Sequence, residues 1–363
     1  MSHQARESTA IWEEDGNASP ASNASATSDG TIKPGSPANE AALSSNTTYF
    51  EHEFYLDLTS ARQEARYHVY LSPPKDPAKG PLFICHHGAG ASGLSFAILA
   101  QELRKKLPHA GILSLDARGH GSVVADLAGN EIADFSLATL ATDAIEMIKL
   151  TQQYMSWPSI PPAILVGHSL GGAVVTQLAC DYALGSAFLG YCVIDVVEGS
   201  ALEALQHMRT YLSSRPSVFD SIPEAIDWHL RTRTLRSRES AEASVPSLLN
   251  LLPSGKLVWK APLSATAPWW EEWFKGMSQK FLKGRGAKLL VLAGTDRMDK
   301  DLMIGQMQGK FQLVVMPEAG HFVQEDAPER LAEVLIEFFQ RNDRSTFVMP
   351  MKVSEMLRLG KKV

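Results

Sequence analysis

The chain has 363 residues, of which 45% are hydrophobic, and it carries a formal net charge of -6 at pH 7. This length and apolar content are enough to bury the core of an enzyme domain, and the negative balance argues against a nucleic acid partner. The three cysteines, Cys85, Cys180 and Cys192, lie in apolar surroundings, which indicates buried thiols in a reducing compartment rather than a disulfide framework.

Residues 1–46 differ in composition from the rest of the chain. They are dominated by Ser, Ala, Asn, Gly and acidic residues, with Ile11 and Trp12 as the only bulky apolar pair. Such a segment cannot bury enough surface to offset the entropy of ordering, so we expect a disordered tail. The chain also lacks a signal-peptide core and any run of about twenty apolar residues. We therefore expect an intracellular protein, cytoplasmic or nuclear, that does not enter a membrane.

Residues 47–342 alternate between strand and helix patterns, and residues 343–363 follow as a C-terminal extension. In chain order, the predicted elements are a hairpin over 50–58 and 66–71, a strand over 82–85, a helix over 96–106, a strand over 111–115, a helix over 137–154, strands over 163–166, 191–194, 288–293 and 312–316, and a last helix. The apolar face of that last helix consists of Leu331, Val334, Leu335, Phe338 and Phe339. This alternation predicts an α/β fold with a mainly parallel central sheet flanked by helices.

A glycine-rich loop, Gly88-Ala89-Gly90, follows the strand that ends at Cys85. Small residues let backbone N–H groups approach a developing oxyanion, and we expect the N–H of Ala89 to be one such donor. The adjacent His86 and His87 suggest a metal site as an alternative, but no HExxH, CxxC or carboxylate cluster accompanies them. We therefore expect both histidines to hydrogen-bond the loop, and we expect no metal.

The pentapeptide Gly167-His168-Ser169-Leu170-Gly171 lies between an apolar run and a helical segment of small residues. It has the pattern Gly-x-Ser-x-Gly, which is typical of the nucleophile elbow of α/β hydrolases. In that turn the serine hydroxyl stands above the sheet, and the flanking glycines avoid clashes with neighbouring backbone. We expect Ser169 to be the nucleophile and the Leu170 N–H to be the second oxyanion donor.

An insertion at about 198–281 separates two strands of the predicted sheet. It holds five of the seven tryptophans, namely Trp228, Trp259, Trp269, Trp270 and Trp273. Aromatic side chains at this density line a ligand groove or anchor a protein partner, although a small helical cap must also bury some of them for packing. The pattern favours a helical lid, with Trp269, Trp270 and Trp273 as substrate contacts.

His321 lies in a loop after the strand-like run that ends at Met316 and before the last helix. In α/β hydrolases the nucleophile, acid and histidine follow one another along the chain, and the histidine precedes the last helix. We therefore expect His321 to be the base that takes the Ser169 proton.

Three strings of the sequence are much more specific than the elbow, and they resemble the protein phosphatase methylesterase 1 family. These strings are Ile194–Gly199, Leu292–Leu302 and Ile304–Gln312, and nothing in general hydrolase chemistry requires them. The resemblance covers the chain from Tyr49 through the last helix. It fails in the tail, after about Arg344, and in a short cap without the acidic tract that some members carry.

The resemblance implies a serine carboxylesterase that removes the methyl ester from the C-terminal leucine of the protein phosphatase 2A catalytic subunit. It implies no small-molecule cofactor, and it adds Met307 to the candidates for substrate contact. It also implies Asp195 as the acid that orients His321. General hydrolase logic instead favours Asp296, because that residue lies just past the end of a predicted strand. We favour Asp195 and keep Asp296 as the alternative.

Two other functions remain open. A small-molecule carboxylesterase or lipase-like hydrolase would keep the same three residues and act on short esters. A phosphatase-binding protein without catalysis would carry the elbow as an inherited feature. Labelling of Ser169 by a fluorophosphonate separates this last alternative from the two enzymes.

Overall fold

A computed structural model describes residues 48–61, 63–294 and 298–343. The predicted tail at 1–46, Asp296 and all but the first residue of the predicted extension at 343–363 lie outside these ranges. The strands are β1 (His52–Thr59), β2 (Gln63–Ser72), β3 (Leu82–His86), β4 (Gly111–Leu115), β5 (Val123–Asp126), β6 (Ala163–His168), β7 (Phe188–Ile194), β8 (Leu249–Leu251), β9 (Leu257–Trp259), β10 (Ala287–Leu292) and β11 (Gln312–Val315).

Within the described ranges, nine strands form one mixed sheet in the order β1-β2-β4-β3-β6-β7-β10-β11, with β5 paired to β2. The pairs of β2 with β1, β4 and β5 are antiparallel. The remaining neighbours in the sheet, along the order β4-β3-β6-β7-β10-β11, pair in parallel. The predicted mainly parallel sheet and its opening antiparallel hairpin are both confirmed.

The helices are α1 (Ala97–Lys106), α2 (Leu137–Tyr154), α3 (Leu170–Asp181), α4 (Glu198–Ser214), α5 (Ile222–Arg231), α6 (Arg238–Ser244), α7 (Trp270–Phe274), α8 (Met277–Lys283), α9 (Lys300–Met307), α10 (Val323–Asp326) and α11 (Pro328–Asn342). None of these helices is both long and apolar enough to cross a bilayer.

Helices cover both faces of the sheet because its central strands are apolar on both sides. In β3, Leu82 and Ile84 belong to the core that contains the buried side chains of α2 and α3. Phe83 and Cys85 point the other way, into the core formed with α1 and α11. A fully buried strand of this kind reads as a continuous apolar run, which is why the sequence pattern located it.

The insertion between β7 and β10 contains α4 to α8 and the small hairpin of β8 and β9. It has its own apolar cluster, which includes Phe219, Trp228 and Leu257. The helical content that we expected is present, but the hairpin was not predicted. Its strands have three residues each, which is too short for a period-two pattern to stand out.

The strand β5 and the helices α9 and α10 were also not predicted. The strand β5 has only four residues, so its pattern is short; it pairs with β2 and makes one isolated bridge from Ala125 to Glu131. The helix α9 has apolar side chains spread around its circumference, and Met303, Ile304 and Met307 are exposed. Such a helix lacks the single apolar face by which sequence patterns identify helices.

Candidate active site

Ser169 lies at the corner between β6 and α3, in a strained backbone conformation with φ 51° and ψ -118°. Its N–H donates to the carbonyl of Ile194, 3.0 Å away. A Cβ on Gly171 would overlap the His86 carbonyl, and a Cβ on Gly167 would overlap the Gly171 carbonyl. Both flanking positions therefore require glycine, as the elbow pattern predicts.

Asp195 follows directly after β7 and also has a positive φ, 50°. Its Oδ2 lies 2.8 Å from Nδ1 of His321, and its Oδ1 accepts the N–H of Ala293 at 2.8 Å. The Asp195 side chain is fully buried, whereas that of His321 is 19% exposed. A hydrogen bond from Nδ1–H to this carboxylate leaves Nε2 of His321 unprotonated, as a base requires.

The structure therefore brings Asp195 and His321 together. Asp296, the alternative acid, lies outside the described residues, so its role stays untested. Ser169 and His321 line the same pocket. The hydrogen bonds that His321 makes in the described part of the chain are those of its Nδ1 with Asp195 and of its carbonyl with His168, and none joins it to the Ser169 hydroxyl. In unliganded serine hydrolases this contact is often long and tightens only when substrate binds.

The histidines before the glycine-rich loop hold the backbone of that loop. His87 donates from Nδ1 to the Gly88 carbonyl at 2.7 Å, and its Nε2 accepts the N–H of Ala117 at 3.0 Å. His86 donates from Nδ1 to the His87 carbonyl at 3.0 Å. Burial lowers the pKa of His87 to about 3 and that of His86 to about 4, so both rings are neutral. Among the described residues, no group of potential ligands is placed to bind a metal ion.

His120 is a second support of this loop, and sequence reasoning did not identify it. Its Nε2 accepts the N–H of Gly90 at 2.9 Å, and its Nδ1 donates to the Arg118 carbonyl at 3.0 Å. Burial lowers the pKa of His120, which keeps Nε2 available as an acceptor. The ring thus fixes the residue that follows Ala89, whose N–H we predicted to bind the oxyanion.

Asp116 anchors the far end of the loop through its carboxylate. Its Oδ1 accepts the N–H of Gly93 at 2.6 Å, and its Oδ2 lies 2.7 Å from Nδ1 of His68. Burial opposes the charge on His68, but its hydrogen bonds to Asp116 and Glu53 raise its pKa to about 9. Burial likewise opposes the charge on Asp116, and the hydrogen bond to His68 lowers its pKa to about 2. The pair is therefore an ion pair that holds the loop.

His168, the variable residue of the elbow, supports the loop of the predicted base. Its Nε2 donates to the backbone carbonyl of His321 at 2.9 Å, and the ring is buried. Burial lowers the pKa of His168 well below its ordinary value, so the ring is neutral. His168 could be seen in the Gly-x-Ser-x-Gly motif, but only the fold shows that the elbow meets the loop of His321.

One pocket of about 1190 Å³, including its open mouth, connects Ser169 and His321 to the insertion. Its cap wall is mostly apolar and is formed by Leu205, Met208, Leu235, Trp270, Trp273 and Phe274. Arg215, His229 and Glu325 are among the polar side chains that also line it. Sequence reasoning did not single out any of these three.

The predicted substrate contacts divide into two groups. Trp270 and Trp273 line the pocket, and their indole N–H groups donate to Thr266 Oγ1 at 2.8 Å and to the Phe135 carbonyl at 2.7 Å. Trp269 packs edge-on against Phe135 and does not line the pocket. Met307 is 85% exposed on α9, also away from the pocket. Contact of Trp269 or Met307 with a substrate stays a prediction.

Comparison with known proteins finds a family model and relatives that match most of this chain. The model of the alpha/beta hydrolase family matches residues 83–334. Protein phosphatase methylesterase 1 of Neurospora crassa is 52% identical over 362 residues, covering 87% of this chain and 79% of that protein. The proteins of the same name from Aspergillus fumigatus and Schizosaccharomyces pombe are 55% and 42% identical, covering 85% and 87% of this chain and 74% and 89% of theirs.

Solved structures agree on the fold at much lower identity. E-2-(Acetamidomethylene)succinate hydrolase has a TM-score of 0.60 at 19% identity, over 80% of this chain and all of that one. A peroxisomal alpha-beta-hydrolase of Saccharomyces cerevisiae has a TM-score of 0.58 at 16% identity, over 84% of this chain and 91% of that one. These likenesses confirm the predicted α/β-hydrolase fold.

Proposed function

Because the chain belongs to the protein phosphatase methylesterase 1 family of the α/β hydrolases, we propose that its substrate is the methylated C-terminal leucine of the protein phosphatase 2A catalytic subunit. The family makes the chain a methylesterase and a serine-type carboxylic ester hydrolase. The particular phosphatase subunit and the triad of Ser169, His321 and Asp195 are the proposal. An intracellular location, in the cytoplasm or nucleus, belongs to it as well.

The first half of the reaction forms an acyl-enzyme. Nε2 of His321 takes the proton from Ser169 as Oγ attacks the ester carbonyl carbon. The N–H groups of Ala89 and Leu170 stabilise the negative oxygen of the tetrahedral intermediate. When the intermediate collapses, the C–O bond to the methoxy group breaks and His321 returns the proton, so methanol leaves. Asp195 stabilises the imidazolium that exists between these two proton transfers.

The second half releases the enzyme. A water molecule gives a proton to His321 and attacks the acyl carbonyl, and the new intermediate is held by the same two N–H groups. The bond to Ser169 Oγ then breaks, the serine regains its proton from His321, and the leucine leaves as a carboxylic acid that loses its proton to water. Each group returns to its starting state, so the protein needs no further reactant.

The observation that carries this proposal is the 2.8 Å contact of Asp195 with His321. It places a fully buried carboxylate behind an imidazole whose other nitrogen is available as a base, in the pocket that contains the strained serine. A histidine with a purely structural role would not require Asp195 to adopt a strained backbone conformation directly after β7.

The surroundings of the triad suit the methyl ester of a peptide that ends in leucine. The cap wall is apolar, which suits a leucine side chain and a neutral methyl ester. On the surface, Met303, Ile304 and Met307 form an exposed apolar patch on α9, and such patches commonly mark protein contacts. Most of the affinity would then come from the protein partner rather than from the ester.

The proposal is tested by labelling with a fluorophosphonate and by methanol release. We expect the label on Ser169, as mapped by mass spectrometry, and methanol from methylated phosphatase at a far higher kcat/KM than from a short methyl ester. Absence of label would favour a phosphatase-binding protein without catalysis. Equal kcat/KM values for the two substrates would favour a general carboxylesterase.

A further inference from the structure

Arg215 is a positively charged residue of the pocket to which the proposed reaction assigns no role. Arg215 directly follows α4, and its guanidinium carbon lies 3.7 Å above the ring centre of Trp259 and 5.9 Å from that of Tyr211. The side chain lines the pocket that contains Ser169. In the described ranges it forms no ion pair, and no acceptor takes a hydrogen bond from its five N–H groups.

A cation in this position is costly without a partner. Arg215 is half-buried, and this burial disfavours the charge and lowers the pKa of the guanidinium. Stacking on Trp259 offsets part of this cost, because the ring face attracts cations, but it uses none of the hydrogen-bond donors. His229, which also lines the pocket, does not compensate this charge, because an imidazole is never anionic and burial lowers its pKa to about 4, which leaves it neutral.

Another buried arginine of the chain shows the ordinary solution. Arg118 donates from Nε and from a terminal nitrogen to the two carboxylate oxygens of Asp143, at 2.5 and 2.8 Å. Neither residue of that pair lines the pocket that contains Ser169. Arg215 has the same fork of donors and lines the pocket, and among the described residues no carboxylate pairs with it.

The ester itself does not require this cation. A methyl ester is neutral, and the oxyanion that forms on it is met by the N–H groups beside Ser169. The rings that hold Arg215, at Tyr211 and Trp259, belong instead to the insertion, and all three residues line the same pocket as Ser169.

We propose that Arg215 binds a carboxylate of the substrate peptide, supplied by an acidic side chain upstream of the C-terminal methyl ester. This inference rests on the proposed function and deepens it, because it gives the methylesterase a preference among peptide sequences. Arg215 is then a specificity residue, and it takes no part in the bonds that form and break at Ser169.

The test uses the full chain and a set of short peptides that end in leucine methyl ester. Each peptide carries either aspartate or asparagine at one of the upstream positions, and kcat/KM is measured by methanol release. We expect at least one position at which the wild type prefers aspartate about tenfold or more, the strength of a charge-assisted hydrogen bond. In Arg215→Gln this ratio falls to near one, and in Arg215→Lys it is intermediate.

Arg209→Gln is the matched control, because Arg209 is exposed on the same helix and does not line the pocket. It should keep the wild-type ratio. Thermal melting verifies that each variant folds, and should Arg215→Gln fail to fold, the ratio of wild type to Arg215→Lys serves in its place.

Two results would overturn the inference while leaving the methylesterase proposal intact. One is a wild type that cleaves the peptides without preferring aspartate at any position. The other is a preference for aspartate that Arg215→Gln retains in full. If this variant is then also inhibited less by the free-acid product, Arg215 binds the carboxylate of the product instead. A wild type that cleaves none of the peptides nor the phosphatase would instead contradict the proposed function.

Discussion

Ser169 and Asp195 share an uncommon backbone state, with φ near 50° at the ends of adjacent parallel strands, β6 and β7. A non-glycine residue in this region costs about 1–3 kcal/mol, so the surrounding structure must impose it. The Ser169 N–H donates to Ile194, and the Asp195 N–H donates to Val291, which ties each turn to the strand beside it. The sheet thus brings the predicted nucleophile and its predicted acid to the carboxyl ends of β6 and β7, and His321 lies beside Asp195 in a loop.

Asp195→Asn tests the assignment of the acid. The amide keeps the shape of the side chain but favours the wrong imidazole tautomer, which lowered kcat about 10⁴-fold in another serine hydrolase. We expect a loss of that size for Asp195→Asn and a smaller one for Asp296→Asn, measured as kcat on a methyl ester. An inactive Asp296→Asn beside an active Asp195→Asn would reverse the assignment.

Glu325 is a single side chain whose effect on the stability of the fold depends on pH. The side chain is 3% exposed, and its Oε1 has no hydrogen-bond partner in the described residues. Burial raises its pKa well above the ordinary value of 4.5, so the folded protein holds it neutral. In the unfolded chain the Glu325 carboxyl ionises above pH 4.5, so folding must return a proton to it. The free energy of unfolding therefore falls as the pH rises towards the folded-state pKa.

Glu325→Gln removes this cost. We expect its melting temperature to match that of the wild type near pH 4.5 and to exceed it progressively from pH 5 to pH 8. The exposed Glu337→Gln on α11 is the control and should show no such trend. A gap that stays constant or shrinks as the pH rises would show that Glu325 is ionised in the folded protein.

At the scale of elements, the parts of the site that follow from local pattern were predictable and the parts that depend on distant contacts were not. The elbow and the strand before it are continuous in sequence, so Ser169 could be located from its neighbours. His120 acts on Gly90 across 30 residues of sequence, and only the fold brings the two together.

The insertion shows the same division. Its tryptophans marked it as a cap, but their side chains face different ways, and the sequence could not separate those in the pocket from those in packing. Arg215 was missed because its distinguishing property is the absence of a partner in the described residues, which no sequence pattern records. The short β8 and β9 were missed because six residues carry too little pattern.

Replacing Trp269 and Trp270 in turn by alanine separates the two roles. Trp270 lines the pocket, so Trp270→Ala should weaken demethylation of the phosphatase more than hydrolysis of a short ester. Trp269 packs against Phe135 outside the pocket, so Trp269→Ala should lower the melting temperature and affect both substrates alike. Equal losses on both substrates in Trp270→Ala would assign that side chain to packing.

For the whole molecule, the sheet with its two covering layers accounts for the folded core. Two large apolar clusters lie on opposite faces of the sheet, and a third belongs to the insertion. The alternation of strands and helices predicted this arrangement, because parallel strands need helices between them. Composition alone supports the interpretation of residues 1–46, which lie outside the described part of the chain.

Deletion of residues 1–45 tests that interpretation. A segment with so few bulky apolar residues contributes little to a core, so we expect no appreciable change in melting temperature or in activity on a short ester. Calorimetry and a chromogenic ester assay suffice. A fall of several degrees would show that the segment packs on the enzyme domain.

The most direct test is demethylation of purified, methylated protein phosphatase 2A catalytic subunit by the full chain. Mass spectrometry of the C-terminal peptide measures the loss of the methyl group. We expect rapid loss with the wild type and, in Ser169→Ala, a rate lower by several orders of magnitude with binding to the phosphatase retained. Demethylation by Ser169→Ala at a rate near that of the wild type, or none by a folded wild type, would contradict the account.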